Sequence, residues 1–326
     1  MGVTVAVTGP TGEIGLAAVT ALERDPAVDR IIGMARRPFD PSTHGWTKTT
    51  YRQGDILDRD AVDALVADAD VVIHLAFIIM GSREESARIN LAGTRNVFEA
   101  TVAAARPRRL VFTSSVAAYG YHPDNPVPLT EDVPARGSPE HYYSAQKAAC
   151  EAVLVEVTAG SSLEVFILRP CIVAGPHAQV LADTMPWHRL PVPVRVAIRA
   201  VPILKPVLPD PGYPLQLVHH DDVAAAIALA ATSPAPPGAY NIAGDGVITL
   251  SDVAKALGGR PVRVPSAAAT AASAVIAKMA FVPSALEWIH VARTSMVMDT
   301  SKAKTELGWQ PTYTSAETLQ ALAEAL

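Results

Sequence analysis

The stretch VTVAVTGPTGEIG, Val3 to Gly15, decides the fold. Its first six residues are β-branched or small and read as a strand with both faces buried. Gly9, Gly12 and Gly15 follow at G-x-x-G-x-x-G spacing. Glycines permit a tight turn and let backbone N–H groups come close to an anion. A helix beginning at Ile14 turns its positive end toward the same place. A glycine triplet alone is weak, and its plain alternative is a glycine-rich structural turn. Placed between a first strand and a first helix, it is a dinucleotide-binding fingerprint. Read so, Gly9, Thr11, Gly12, Glu13, Ile14 and Gly15 hold a pyrophosphate.

Outward from this loop, short apolar runs alternate with helical patterns. Strands are predicted at Val3–Thr8, Arg30–Met34, Thr49–Gln53, Val71–Leu75, Leu110–Ser114 and Glu164–Leu168, and helices at Ile14–Glu23, Ala61–Val66, Glu84–Ala105 and Tyr143–Thr158. Such alternation predicts an α/β fold, a Rossmann-type doubly wound parallel sheet covered on both faces. The pattern changes after Arg169. Ala178 to Pro214 is rich in proline and apolar residues, which rules out a long unbroken helix. "LQLVHHDDVAAAIALAA" then supplies one more strand and helix, and "AYNIAGDG" another strand. The expected division is a dinucleotide-binding domain of residues 1–177 that also receives 214–243, with 178–213 and 244–326 forming a smaller substrate-binding lobe.

The second strand ends in IIGMARRPFD. Dinucleotide folds that take NAD place an acid there for the ribose 2′-hydroxyl. This chain has Arg36 and Arg37, whose donor forks suit a 2′-phosphate. Asp40 stands too far along to replace the acid. The expected cofactor is therefore NADP rather than NAD; solvated arginines are the plain alternative.

Composition removes other classes. Lys and Arg number 27 against 32 Asp and Glu, a net charge of −5, and no basic run carries interleaved aromatics. No nucleic-acid partner is expected. The two cysteines, Cys150 and Cys171, form neither a disulfide framework nor a metal spacing. No metal site is expected, since no grouping of His, Cys and carboxylates has convincing spacing. The opening strand lacks the basic segment of a signal peptide, so a cytoplasmic protein is expected. Pro265 to Val282 is nearly uncharged, but Lys278 interrupts it and it is rich in Ala and Ser. A packed helix is expected there rather than a membrane span.

Further landmarks follow in order: GDILD (Gly54–Asp58), HLA (His74–Ala76), NLAGTRNV (Asn90–Val97), TSSVAAYG (Thr113–Gly120), Tyr143-x-x-x-Lys147, LRPCIVAGP (Leu168–Pro176), LVHHDDVA (Leu217–Ala224) and SKAKTELGWQPTY near the C-terminus. With the glycine loop, the set resembles the extended short-chain dehydrogenase/reductase family, in its NAD-dependent epimerase/dehydratase branch. The resemblance covers nearly the whole chain. It implies an NAD(P)-dependent enzyme with Ser115, Tyr143 and Lys147 as catalytic residues. Tyr143 and Lys147 share a helix face at i, i+4 spacing. The lysine charge is expected to lower the phenol pKa, so that Tyr143 exchanges a proton with a substrate oxygen. Tyr142 lies about 100° around the helix and packs or lines the pocket. Ser115 aligns with the family's catalytic hydroxyl, with Ser114 as runner-up. The resemblance further assigns Asp55 and Ile56 to the adenine end and Leu75 and Ala76 to backbone passing the cofactor. It also places Thr113, Tyr143, Lys147, Pro170 and Ile172 against the cofactor. Asn90, His74 and His219 read as structural, Arg169 as shaping the lobe junction, and Asp221 or Asp222 as a helix cap. Family members commonly dimerise through the helices at Glu84–Ala105 and Tyr143–Thr158, so a homodimer is expected.

Substrate class is read from departures. Sugar-nucleotide members often carry Asn after the RP motif and Arg before the HVDD-like motif; this chain has Ile172 and Leu215 near those places. An apolar side chain cannot neutralise a diphosphate. AFIIMG, Ala76 to Gly81, adds apolar surface. The leading expectation is hydride transfer at a C=O/CH–OH pair of a fairly apolar small molecule. One alternative is a sugar-nucleotide epimerase or dehydratase that retains its cofactor. Another, of a different class, is a non-catalytic NADP-sensing protein, which would have no need of the Ser115, Tyr143 and Lys147 set.

Overall fold

The computed structural model describes residues 2–79, 83–178, 205–265 and 294–326. A seven-stranded parallel sheet runs through its centre in the order β10-β6-β5-β4-β1-β2-β3. The strands are β1 (Val3–Thr8), β2 (Val28–Ala35), β3 (Thr49–Gln53), β4 (Val71–His74), β5 (Arg109–Thr113), β6 (Glu164–Pro170) and β10 (Gly238–Ile242). The expected parallel α/β architecture is therefore present, and the predicted strands fall on observed ones within two residues at either end.

Alternation along each strand sends neighbouring side chains to opposite faces. Val5, Val7, Ile31 and Val111 enter one apolar core. Ala6, Ile32, Leu110 and Phe112 enter the other. Two parallel helices, α1 (Glu13–Arg24) and α6 (His220–Thr232), cover the first face. The second face is covered by α2 (Arg59–Val66), α4 (Thr94–Ala103) and α5 (Tyr142–Thr158). Burial on both sides explains why these strands are apolar nearly throughout.

The helix predicted at Glu84–Ala105 is present as one run of helical backbone that changes type within it. A short α3 (Arg83–Ala87) passes into a π-helical turn at Arg88–Gly93 before α4 begins. The extra residue of such a turn rotates the apolar stripe after it by about 100°, while the spacing on either side still reads as helix. Gly93 lies so close to Ile56 that a Cβ there would stand 2.5 Å from its side chain.

The chain leaves the sheet after β6 and returns at β10, which pairs with β6 in parallel register from Gly238↔Phe166 to Ile242↔Pro170. Between them β7 (Ile172–Ala174) pairs with β9 (Leu217–His219). Outside the main sheet, β8 (Val207–Asp210) pairs with β11 (Arg260–Arg263), beside α7 (Leu250–Ala256). A third apolar cluster joins Ala174, Leu215, Leu217 and Ile248 to Leu319 and Leu322 of α9 (Ser315–Glu324). The short α8 (Ser301–Thr305) precedes α9. Most of the proline-rich stretch, at 179–204, lies outside the described residues. So does nearly all of the 265–282 segment considered for the membrane, from 266 onward. Among the described residues no helix is long and apolar enough to cross a membrane.

A candidate active site at the carboxyl ends of the strands

Strand order reverses between β1 and β4, and their carboxyl ends open a crevice where open α/β sheets bind ligands. The glycine loop forms one side. Gly9 has φ +74°, and a Cβ on it would stand 2.8 Å from the Ala76 backbone nitrogen. A Cβ on Gly15 would overlap the Gly9 carbonyl and the Pro10 backbone. Only glycine allows this close crossing of turn, helix and strand. Gly12 stands at the N-cap of α1 with no side-chain cap, so the first turn offers bare N–H groups.

From this loop a cavity of about 430 Å³ runs toward α5. Gly9, Gly12, Glu13, Ile14 and Gly15 line its near end, with Leu75 and Thr113 on the floor. Ser115, Tyr143 and Lys147 line it as well, as do Pro170 and Ile172. The remaining sequence candidates lie outside the cavity. Ala76 packs on Gly9, and Ile56 is buried under Gly93. Asp55 closes a local turn by accepting the Leu57 N–H at 3.0 Å, and Thr11 is half-buried on the loop crest. Arg36 and Arg37 are exposed past β2; their guanidinium groups make no hydrogen bond or ion pair among the described residues, while Gln53 and Tyr51 hold their carbonyls.

The residues fit a dinucleotide. A Cβ on Gly12 would meet nothing nearer than the Gly9 carbonyl at 3.6 Å, so the space beside the bare first turn of α1 is open to a pyrophosphate. Thr113 Oγ1 and Glu13 Oε1 are buried polar atoms in the wall without a hydrogen-bond partner among the described residues. Burial pushes the Glu13 carboxyl up to about 7.

Lys147 is buried. Its Nζ donates to the Thr113 carbonyl at 2.9 Å and lies 3.7 Å from the Phe77 ring centroid. Burial lowers its pKa from 10.5 to about 8. Nζ stands 5.9 Å from the Tyr143 ring centroid. The expected lowering of the Tyr143 pKa by this lysine is not what the structure gives. Burial raises the phenol pKa, and the opposing influence comes from the Ser115 hydroxyl. The lysine charge is directed instead at a carbonyl and an aromatic face.

Ser115 is thus the hydroxyl facing Tyr143, and it also caps a 3₁₀ turn at Val116–Tyr119. Ser114 turns away and donates to Glu151 at 2.5 Å. Glu151 accepts Arg169 Nε at 3.0 Å and Nη2 at 2.6 Å. The Arg169 guanidinium lies 4.6 Å from the centre of the Tyr119 ring. Burial opposes the arginine's charge, but the bonds from Glu151 outweigh it and raise the pKa. Sequence reading missed Glu151. Its signal was its place one turn after Lys147 on the same helix, with an arginine on the adjacent strand.

Tyr142 lines the cavity and its hydroxyl donates to the Ile79 carbonyl. Asn90, on the π turn, exchanges two hydrogen bonds with Ile78, at 2.8 and 2.9 Å, and donates to Gln146 at 2.7 Å. It ties the helix to the loop after β4 and to α5. His74 sits between Thr8 at 2.7 Å and Thr94 at 2.9 Å, and burial, then the nearby Lys147, lowers its pKa to about 3. The expected cap of α6 is corrected: His219, not Asp221 or Asp222, accepts the Asp221 N–H. Asp222 instead holds the C-terminal landmark, accepting N–H bonds from Thr312 at 2.8 Å and Tyr313 at 3.1 Å. Among the described residues, His219, His220 and Asp221 bring their ligating atoms within 4.8 Å of one another.

The sequence matches the NAD dependent epimerase/dehydratase family over residues 5–243. It is 29% identical over 328 residues to a 3-diazoavenalumate denitrifying reductase of a Streptomyces species, covering 95% of this chain and 97% of the relative. It is 32% identical over 202 residues to human 3 beta-hydroxysteroid dehydrogenase type 7, covering 54% of this chain and 52% of that protein. The fold superposes with a TM-score of 0.73 on UDP-glucuronic acid 4-epimerase from Bacillus cereus, a structure in complex with NAD. Identity there is 19%, over 99% of this chain and 98% of the other. With a family match across most of its length, the chain belongs to the NAD dependent epimerase/dehydratase family.

Proposed function

We propose that this protein is an NADP-dependent oxidoreductase that interconverts C=O and CH–OH in a fairly apolar small molecule, with Tyr143 as acid/base. One observation carries the substrate class. The cavity lining includes Phe77, Ile78, Ile79, Val116, Tyr121 and Tyr142, with His141 as a polar neighbour, and Lys147 is the one lysine or arginine among the described lining residues. A pocket of this kind takes an apolar body and orients it by few polar groups. Leu215, near the place where sugar-nucleotide enzymes carry an arginine, is buried in an apolar cluster.

The glycine loop would hold the pyrophosphate, Lys147 the nicotinamide ribose, and Arg36 and Arg37 the 2′-phosphate. A bound nicotinamide supplies or accepts the hydride. Ser115 holds the substrate oxygen by a hydrogen bond. In the reducing direction Tyr143 gives its proton to that oxygen as the carbon is reduced. Lys147 stabilises the phenolate left behind, once its ammonium turns from the Thr113 carbonyl toward the ribose and phenol. Residues 178–213 and 244–326 are read as the substrate lobe. A homodimer through α4 and α5 belongs to the same reading; Val155 is 66% exposed on that face.

The test is a titration of purified protein with NADPH and NADH by nicotinamide fluorescence, with a check for retained cofactor. Tight NADPH binding, weak NADH binding and an empty resting site are expected, followed by turnover of apolar ketones. Retained NAD, or preference for NADH, would overturn the 2′-phosphate reading and move the sugar-nucleotide epimerase to the front.

A further inference from the structure

A second cluster of ligating side chains lies apart from the catalytic group, where β9 enters α6. His219 and His220 are buried, at 3% and 4% exposure, while the Asp221 carboxylate is open to solvent. Asp221 Oδ2 lies 3.5 Å from His219 Nδ1, and Oδ1 lies 3.4 Å from His220 Nε2. A tetrahedral ion bound at 2.0–2.1 Å separates its ligands by about 3.4 Å. Each separation is about one such edge, though on different oxygens of Asp221, so the exposed carboxylate would turn to present a single oxygen to the ion. His177 adds a third imidazole, exposed, with its ring centroid 5.1 Å from that of His220. The other ring nitrogen of His220, Nδ1, is buried against Gly175 beside the Ala174 carbonyl, which leaves Nε2 as the nitrogen that faces Asp221. Gly175 permits this placement, because a Cβ there would stand 2.5 Å from Nδ1.

We propose that His219, His220 and Asp221, completed by His177, form a binding site for a divalent transition ion of the zinc class. Imidazole nitrogens with one carboxylate are the donors such ions take, whereas magnesium and calcium call for oxygen. The ion would compete with the Asp221 N–H for His219 Nδ1, and it would sit at the positive end of α6. Both costs place the affinity in the micromolar range rather than that of structural zinc. Its structural effect follows from where the ligands are. His177 stands three residues after the segment Ile172–Ala174, whose Ile172 and Val173 line the cavity, and Ala178 after it lines the cavity too. A bound ion would fasten that wall to α6.

Full-length protein would be titrated with Zn²⁺ against a chromophoric chelator, beside Asp221→Asn, His177→Ala and His220→Val. One Zn²⁺ per chain is expected, weakened roughly tenfold in each exposed-site variant and more in His220→Val. Asp221→Asn and His177→Ala alter exposed side chains, so they keep the test valid should His220→Val fail to fold. Co²⁺ taken up at the same stoichiometry is expected to show tetrahedral visible absorption. Absence of binding at ~100 µM Zn²⁺, or binding unchanged in both Asp221→Asn and His177→Ala, would overturn the proposal.

Discussion

Two cations lie buried near helix α5, and they are treated differently. Arg169 is met by Glu151 through two hydrogen bonds, by Tyr119 through its ring, and by Ser114 through the shared carboxylate. Lys147, one turn before Glu151 on the same helix, has a carbonyl and an aromatic face. The paired cation has its charge fixed well above any working pH. The other is lowered to about 8, within reach of physiological conditions. Full pairing makes architecture; partial pairing leaves a charge that chemistry can use.

The largest effect is expected where pairing is broken. Glu151→Ala strands Arg169 without its carboxylate and should destabilise the protein by about 3–5 kcal/mol, read by urea unfolding. A loss below ~1 kcal/mol would mean that Arg169 finds water instead.

Next comes Tyr143→Phe. It should lower turnover by roughly 10²–10⁴-fold while NADPH affinity stays within a few-fold of wild type. Equal losses in binding and turnover would make the tyrosine a packing residue.

Lys147→Met should cut turnover but not stability at pH 7, which separates it from Glu151→Ala. The sign follows from the lowered pKa. Between about pH 8 and 10.5 the unfolded chain holds the lysine proton more tightly than the native one. Wild-type stability therefore gains with rising pH there, by at most about 1.4 kcal/mol per unit, and the variant should lose that gain. A variant that keeps the slope would assign it to another group.

The smallest effect is expected at Glu13, whose folded pKa is raised to about 7. Its favourable, protonated form is complete below the ordinary value of 4.5 and is lost as pH rises through 7. Above that, a carboxylate faces the pyrophosphate. NADPH should bind roughly a few-fold more weakly at pH 8 than at pH 6 in the wild type, with Glu13→Gln flattening the difference. The same slope in the variant would exclude Glu13 as its origin.

Much of this was legible beforehand because it depends on short-range pattern. Val3 to Gly15 specifies strand, turn and helix within thirteen consecutive positions, and the Tyr143–Lys147 spacing needs only helical geometry. What escaped depends on tertiary partners. Glu151 looked like any helix glutamate until β6 brought Arg169 against it. The direction of the Tyr143 shift was misjudged, because burial is set by distant elements such as Phe77. The cap of α6 fell to a histidine because Asp222 was claimed by a loop about 90 residues away, at Thr312 and Tyr313. The π turn escaped for a different reason, since the spacing on either side of the inserted residue still reads as helix.

The late return of β10 has a consequence for biosynthesis. Its partner edge on β6 is complete at Pro170, yet the strand that covers it begins at Gly238. At ~5–20 residues per second, the ribosome needs several seconds to supply it. Through that interval the nascent sheet ends in an uncovered, apolar parallel edge of the kind that recruits other strands. The same holds for any fragment cut after Ile172 and before Gly238. Such a piece would carry every cofactor-binding and catalytic residue named above and still lack the strand that seals its sheet.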